Sequence, residues 1–215
     1  MSVRGVVFDL DGVLADTEGL QWAAYRQVLA EFGVDVGIEE YRREFIRTGF
    51  GPEYACRTYR LPLTPDELRA RKAPGYVALL RAGVAPIPGA LDAVRRLRAT
   101  HWLAVATNTA RAETAFILDR LGVAGLLHAV VAREDYERPK PAPDAYLAAA
   151  AALGLAPTEC VVVEDTERGV KAGLAAGMRV LAAPNELTLD NDFAGSARRL
   201  GHLDELTVDL LEALG

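Results

Sequence analysis

Apolar residues along this chain fall into two kinds of run. Short, nearly unbroken ones cover residues 5–9, 102–107, 129–132, 161–164 and 179–182. Their length and valine content suit strands covered on both faces of a sheet. Between the later runs the spacing turns helical, over residues 89–99, 112–121, 144–153 and 168–176. Apolar strands alternating with helices predict a parallel sheet joined by right-handed crossovers.

The stretch after the first strand behaves differently. Residues 18–32 place Leu20, Ala23, Ala24, Val28, Leu29 and Phe32 on one helical face, and residues 38–46 continue in helical register. Gly49-Phe50-Gly51-Pro52 then breaks the chain, and a further helix is expected to reach Tyr59. Pro65 opens a long helix, with Asp66 and Glu67 in the first turn, where acids meet the positive end of the helix dipole. No strand is expected between residues 17 and 84. The pattern therefore predicts an α/β protein with a doubly wound, Rossmann-like parallel sheet. Its core would be made from residues 1–15 and 85–215, with an all-helical insertion at 16–84. Residues 196–215 should return to the core and end in a short leucine-rich helix.

Composition narrows the partners. The 215 residues are 51% hydrophobic and 25% charged, and the formal net charge is -6. Nucleic acid and anionic membrane both require a basic face, so neither is expected as a main partner. Cys56 and Cys160 are the two cysteines, with no metal-ligand spacing around either. That usage suits a reducing cytoplasm better than a disulfide scaffold. The first residues run straight into a strand without a signal pattern, and the most apolar stretch, 145–156, is too short to span a bilayer. Oligomeric state is not written in these features.

The candidate chemistry lies where strands end, which in open parallel sheets is where ligands bind. Asp9-Leu10-Asp11-Gly12 closes the first strand with two carboxylates two residues apart. Crowded carboxylates are costly unless a cation or a shared proton relieves their repulsion. Thr107 and Asn108 close the second, placing a hydroxyl and nearby backbone N–H groups where a phosphoryl group could bind. Lys140 sits between Pro139 and Pro141, and the prolines fix its loop. Glu164, Asp165 and Thr166 end the next strand. Each string alone has a bland reading: a solvated turn, a helix cap, a solvated lysine.

Taken in order, these four strings resemble the signature motifs of the haloacid dehalogenase superfamily, and the match covers nearly the whole chain. The longer strings Lys140-Pro-Ala-Pro-Asp144 and Glu164-Asp-Thr-Glu-Arg-Gly-Val-Lys-Ala-Gly173 look most like the beta-phosphoglucomutase-like branch. The resemblance implies a magnesium-dependent phosphatase acting on a small phosphorylated metabolite. Asp9 would be the nucleophile and Asp11 the general acid and base. Thr107 and Lys140 would serve the transferring group, and Asn108 and Gln21 would bind substrate. Asp9, the Asp11 backbone carbonyl and Asp165 would hold magnesium, with Glu164 as a direct ligand or a partner through water. The helical insertion would be a cap that excludes water.

The sugar mutases of this branch carry a histidine and an arginine where this chain has Gln21 and Pro52. Glutamine does not titrate and proline cannot clamp a phosphate, so hydrolysis is expected ahead of mutase activity. A dehalogenase would have little need of Asp11 or Asp165. A phospho-receiver signalling module would be shorter and would lack the helical insertion.

Overall fold

The protein is described here by a computed structural model covering residues 2–215. The chain folds as two compact units, Met1–Asp16 together with Ala85–Gly215, and Thr17–Val84. In chain order, β1 (Gly5–Phe8) and the two-residue β2 (Ala15–Asp16) come first. The second unit holds α1 (Glu18–Ala30), α2 (Ile38–Tyr41), α3 (Gly51–Thr58) and α4 (Pro65–Ala82). The first unit resumes with β3 (Ala85–Pro86), α5 (Ala90–Leu97), β4 (Trp102–Ala106), α6 (Arg111–Arg120), β5 (Ala129–Val131) and α7 (Asp144–Leu153). It ends with β6 (Cys160–Glu164), α8 (Glu167–Ala175), β7 (Arg179–Ala182), β8 (Arg198–Arg199) and α9 (Val208–Ala213).

One six-stranded sheet, in the order β5-β4-β1-β6-β7-β8, organises the first unit, and every pairing in it is parallel. The strand order reverses at β1, which pairs with β4 on one side and β6 on the other, Val7 facing Ala104 and Val162. All four residues of β1 and all five of β6 are buried. Fully burying one such aliphatic side chain contributes about 1.5–3 kcal/mol, so the centre of the sheet is its firmest part. The α/β architecture expected from the alternating pattern is the one observed.

Two expectations need correction. The first strand stops at Phe8, not Asp9, because the chain turns there: Leu14 and Ala15 both donate backbone hydrogen bonds to Leu10 O. Asp9 therefore lies just beyond the strand and Asp11 in the turn that follows it. The segment expected as one helix over 38–46 is α2 followed by a π-helical stretch, Arg42–Arg47. The strands β2, β3 and β8 gave no signal in the sequence, since two residues cannot display a period.

The helical unit has its own aromatic core. Tyr25, Tyr41 and Phe45 are buried, with Phe45 5.0 Å from Tyr25 and 5.1 Å from Tyr41 between ring centroids. Buried tyrosines need partners for their hydroxyls. Buried Tyr41 donates to Glu18 at 3.0 Å, and half-buried Tyr54 donates to Glu40 at 2.8 Å. Thr64 caps α4: its Oγ accepts from the Glu67 N–H, and Glu67 accepts from the Thr64 N–H at 2.7 Å. Pro74 lies inside α4 without ending it, at the cost of one backbone hydrogen bond. No helix among the described residues is long and apolar enough to cross a membrane.

Candidate active site

Four loops at the carboxyl ends of β1, β4, β5 and β6 carry the candidate residues. The Asp9 N–H still donates to Val163 O at 2.9 Å, so the nucleophile candidate is anchored to the sheet although its strand has ended. Gly12 makes the following turn possible. Its φ of +79° is a left-handed conformation that favours glycine, and a Cβ there would collide with the Asp165 carboxylate.

Lys140 is the centre of the arrangement. It is only 5% exposed, and its ammonium meets four acceptors: Asp9 Oδ1 at 2.5 Å, Glu164 Oε1 at 2.8 Å, the Tyr146 hydroxyl at 2.8 Å and Ala106 O at 3.0 Å. The loop that brings it there is itself held. Asn108 Oδ1 accepts from the Lys140 N–H at 3.2 Å and from the Tyr136 hydroxyl at 2.7 Å. Asn108 thus anchors the lysine loop by its side-chain oxygen.

Glu164 is equally engaged. Oε1 accepts from Lys140 and from the Tyr146 hydroxyl at 2.9 Å, while Oε2 accepts from Thr166 N at 3.0 Å and Thr166 Oγ at 2.9 Å. Thr166 also accepts from Gly169 N, which caps α8. Gly169 has to be a glycine, because any Cβ would run into the Glu164 carboxylate. Asp165 is wholly buried beside it.

Asp11 faces a different set of partners. Its Oδ2 accepts from the hydroxyls of Thr107 at 3.3 Å and Thr109 at 2.5 Å. It is half-buried, whereas Asp9, Glu164 and Asp165 are buried. The two carboxylates of the first loop therefore sit in distinct environments, one paired with an ammonium and one with two hydroxyls.

The charges do not balance, and the imbalance is informative. Burial pushes Asp9 up to about 7 against the pull of Lys140, with Glu164 and Asp11 adding to the rise. Burial also raises Glu164, but Lys140 and the hydrogen bonds from Lys140, Thr166 and Tyr146 outweigh it and hold the group below its ordinary value. Burial opposes the Lys140 charge, and the two carboxylates more than compensate, so the ammonium stays protonated. One ammonium thus serves two buried carboxylates, with Asp9 raised and Glu164 held down.

Carboxylate oxygens of Asp9, Glu164 and Asp165 lie within 4.8 Å of one another. Three buried carboxylates with one lysine fit a hard cation, which takes oxygen donors and would offset the excess negative charge.

Asp9, Asp11, Thr107, Asn108, Lys140, Glu164 and Asp165 all come together in the α/β unit. Gln21 lies on α1 of the helical unit, where its side chain accepts a hydrogen bond from Lys72. Sequence reasoning missed Thr109, Tyr146 and Asn185. Thr109 follows Thr107 by two residues, and Tyr146 lies in the first turn of the helix after the Lys140 loop. Asn185 stands just beyond the end of β7 and donates to Asp165 Oδ2 at 2.8 Å. The rule that ligands gather at the carboxyl ends of parallel strands, applied to β7 as well, would have pointed to it.

Comparison with known proteins bears on the family and the fold. Residues 6–183 match the family model described as haloacid dehalogenase-like hydrolase. The chain is 30% identical to Protein CbbY of Rhodobacter capsulatus, over the full length of both. It is 32% identical to the fructose-1-phosphate phosphatase YqaB of Escherichia coli K12, over 81% of this chain and 93% of that one. A crystal structure of a CbbY mutant from Rhodobacter sphaeroides, in complex with xylulose-1,5-bisphosphate, superposes with a TM-score of 0.84 at 30% identity, covering 98% of this chain and 99% of that one.

Proposed function

We propose that this chain, which belongs to the haloacid dehalogenase-like hydrolase family, is a phosphatase of small phosphorylated sugars that passes the phosphoryl group through Asp9. The observation that carries the proposal is the separation of two neighbouring carboxylates by their surroundings. Asp9 is buried against an ammonium, and Asp11 is half-buried against two hydroxyls. Carboxylates pushed into different environments are what acid–base and nucleophilic roles require.

In this reading an Asp9 oxygen attacks phosphorus and forms an acyl phosphate. The bond to the sugar oxygen breaks, and that oxygen takes the proton held by Asp11. The Asp11 carboxylate then removes a proton from water. The water oxygen attacks phosphorus, phosphate departs, and Asp9 is regenerated. Thr107 orients Asp11 by its hydroxyl and stands at a strand end suited to phosphoryl oxygens. Lys140, turned by Glu164 and Tyr146, keeps positive charge beside the attacking oxygen.

Asp9 and Asp165, with Glu164 beside them and the Asp11 backbone carbonyl, would hold magnesium. Bound there, the ion supplies the positive charge that keeps Asp9 ionised and neutralises phosphate oxygens. The similarity to a fructose-1-phosphate phosphatase and to a protein crystallised with a sugar bisphosphate supports sugar phosphates as the substrate class.

The test is phosphate release from a panel of phosphorylated sugars, fructose-1-phosphate among them, with magnesium and then with chelator. Borohydride trapping during turnover, followed by peptide mapping, should place the label on Asp9. A label on another residue, or equal activity in chelator, overturns the mechanism. Glucose-1-phosphate, where accepted, should give glucose and phosphate. Accumulation of the 6-phosphate isomer would make the chain a mutase.

A further inference from the structure

We infer that Asn185 is a positioning residue: its amide ties the loop of Asp165 to the loop of Asp9 and Asp11, and so sets the affinity of the acidic cluster for a divalent cation. The inference rests on the proposed reading of those acids as a cation site.

The geometry is specific to an amide. A carboxamide offers two N–H donors on one nitrogen and an acceptor on the other side. Asn185 Nδ2 donates to Asp165 Oδ2 at 2.8 Å and to the Gly12 carbonyl at 3.3 Å. These acceptors belong to separate loops, one after β6 and one after β1. The opposite face of the amide is fixed as well. Its Oδ1 accepts from Leu187 N at 2.9 Å, which dictates that the nitrogen faces the two loops.

The backbone around Asn185 is also restrained. Its N–H donates to the buried Thr188 Oγ at 3.0 Å, and its carbonyl accepts from Thr188 N at 3.0 Å. The side chain is therefore held ready before any ligand arrives. By engaging Oδ2, the amide fixes the plane of the Asp165 carboxylate and hence the direction of its other oxygen. The hydrogen bond to Gly12 holds that plane against the turn that places Asp9 and Asp11. Groups that orient a metal's carboxylates typically change metal affinity by 10–100-fold when removed.

The experiment is isothermal titration of Mg2+ into the full-length protein, wild type against Asn185→Ala and Asn185→Ser. Serine keeps an acceptor for the Leu187 N–H, and so the local turn, yet is too short to reach both Asp165 and Gly12. Both variants should bind Mg2+ about tenfold or more weakly, with metal-free melting close to wild type for Asn185→Ser. At saturating Mg2+ the KM for the sugar phosphate should change by less than about threefold, because the amide acts through the acids and does not touch substrate. A dissociation constant for Asn185→Ser within twofold of wild type overturns the inference. Failure of the wild type itself to bind Mg2+ is a different outcome, and it removes the cation site along with the role of Asn185.

Discussion

The α/β unit buries one cluster of charge beside its exposed ion pairs, whereas the pairs described in the helical unit reach solvent. In the helical unit, ion pairs lie at the rim: Arg69 and Glu53 are 41% and 40% exposed, and Arg26 and Asp35 are 45% and 76% exposed. In the α/β unit, Lys140 reaches Asp9 and Glu164 with side chains that are 5%, 11% and 1% exposed. Exposed pairs contribute about 0–1 kcal/mol and are screened by salt. Buried ones carry a desolvation penalty that can exceed their attraction, so they are weak evidence for stability. A fold would gain as much from apolar residues in their place. Their presence at a strand-order reversal marks a place kept for chemistry.

That contrast can be tested by mutation. The largest effect belongs to Asp9→Asn, which should lose all measurable turnover and all trapped phosphoenzyme, since an amide is neither a comparable nucleophile nor a charged ligand. Phosphate release above a few per cent of wild type would break the comparison at its centre. Next comes Lys140→Met, which leaves Glu164 and Asp9 buried without their cation. Removing one partner of a buried pair costs about 3–5 kcal/mol, and adding Glu164→Gln should restore part of that loss. Urea denaturation in the absence of metal measures both, and a loss under about 1 kcal/mol would mean that the pair is solvated after all.

Asp11→Asn should reduce turnover by roughly a hundredfold or more while stability changes little, the usual scale for removing a general acid or base. An unchanged kcat would reassign the proton transfer to another group. The smallest effect is reserved for the helical unit. Arg69→Ala should cost less than about 1 kcal/mol, and that cost should shrink further in high salt. A loss as large as that of Lys140→Met would erase the distinction between the two units.

The sequence made the sheet and most of the site readable because each depends on local pattern. Val161 to Val163 read as a buried strand from their own side chains, and Asp9, Lys140 and Asp165 each sit in a string of recognisable chemistry. What escaped depends on distance in the chain. Tyr146 matters because its hydroxyl reaches Lys140 and Glu164 at once, and Asn185 because it meets Gly12 across the sheet. The Tyr146–Glu164 and Asn185–Gly12 relations, 18 and 173 residues apart, leave no mark at short range. The end of β1 was misplaced for a related reason: an apolar run shows where a strand is possible, and the turn at Leu10 to Ala15 decides where it stops. The π-helical stretch after Tyr41 was equally silent, since its residues continue a helical period.

The two neighbours of β1 have a kinetic meaning. Gly5 pairs with Trp102 on one side and Cys160 on the other, so the central strand waits for distant segments before it has any partner. Closing such long loops loses chain entropy before the new contacts compensate, which slows folding and leaves strand edges exposed meanwhile. The loops after β1, β4, β5 and β6 converge only once that closure is complete. The Asp9–Lys140 contact itself joins residues 131 positions apart, so it too depends on closing a long loop.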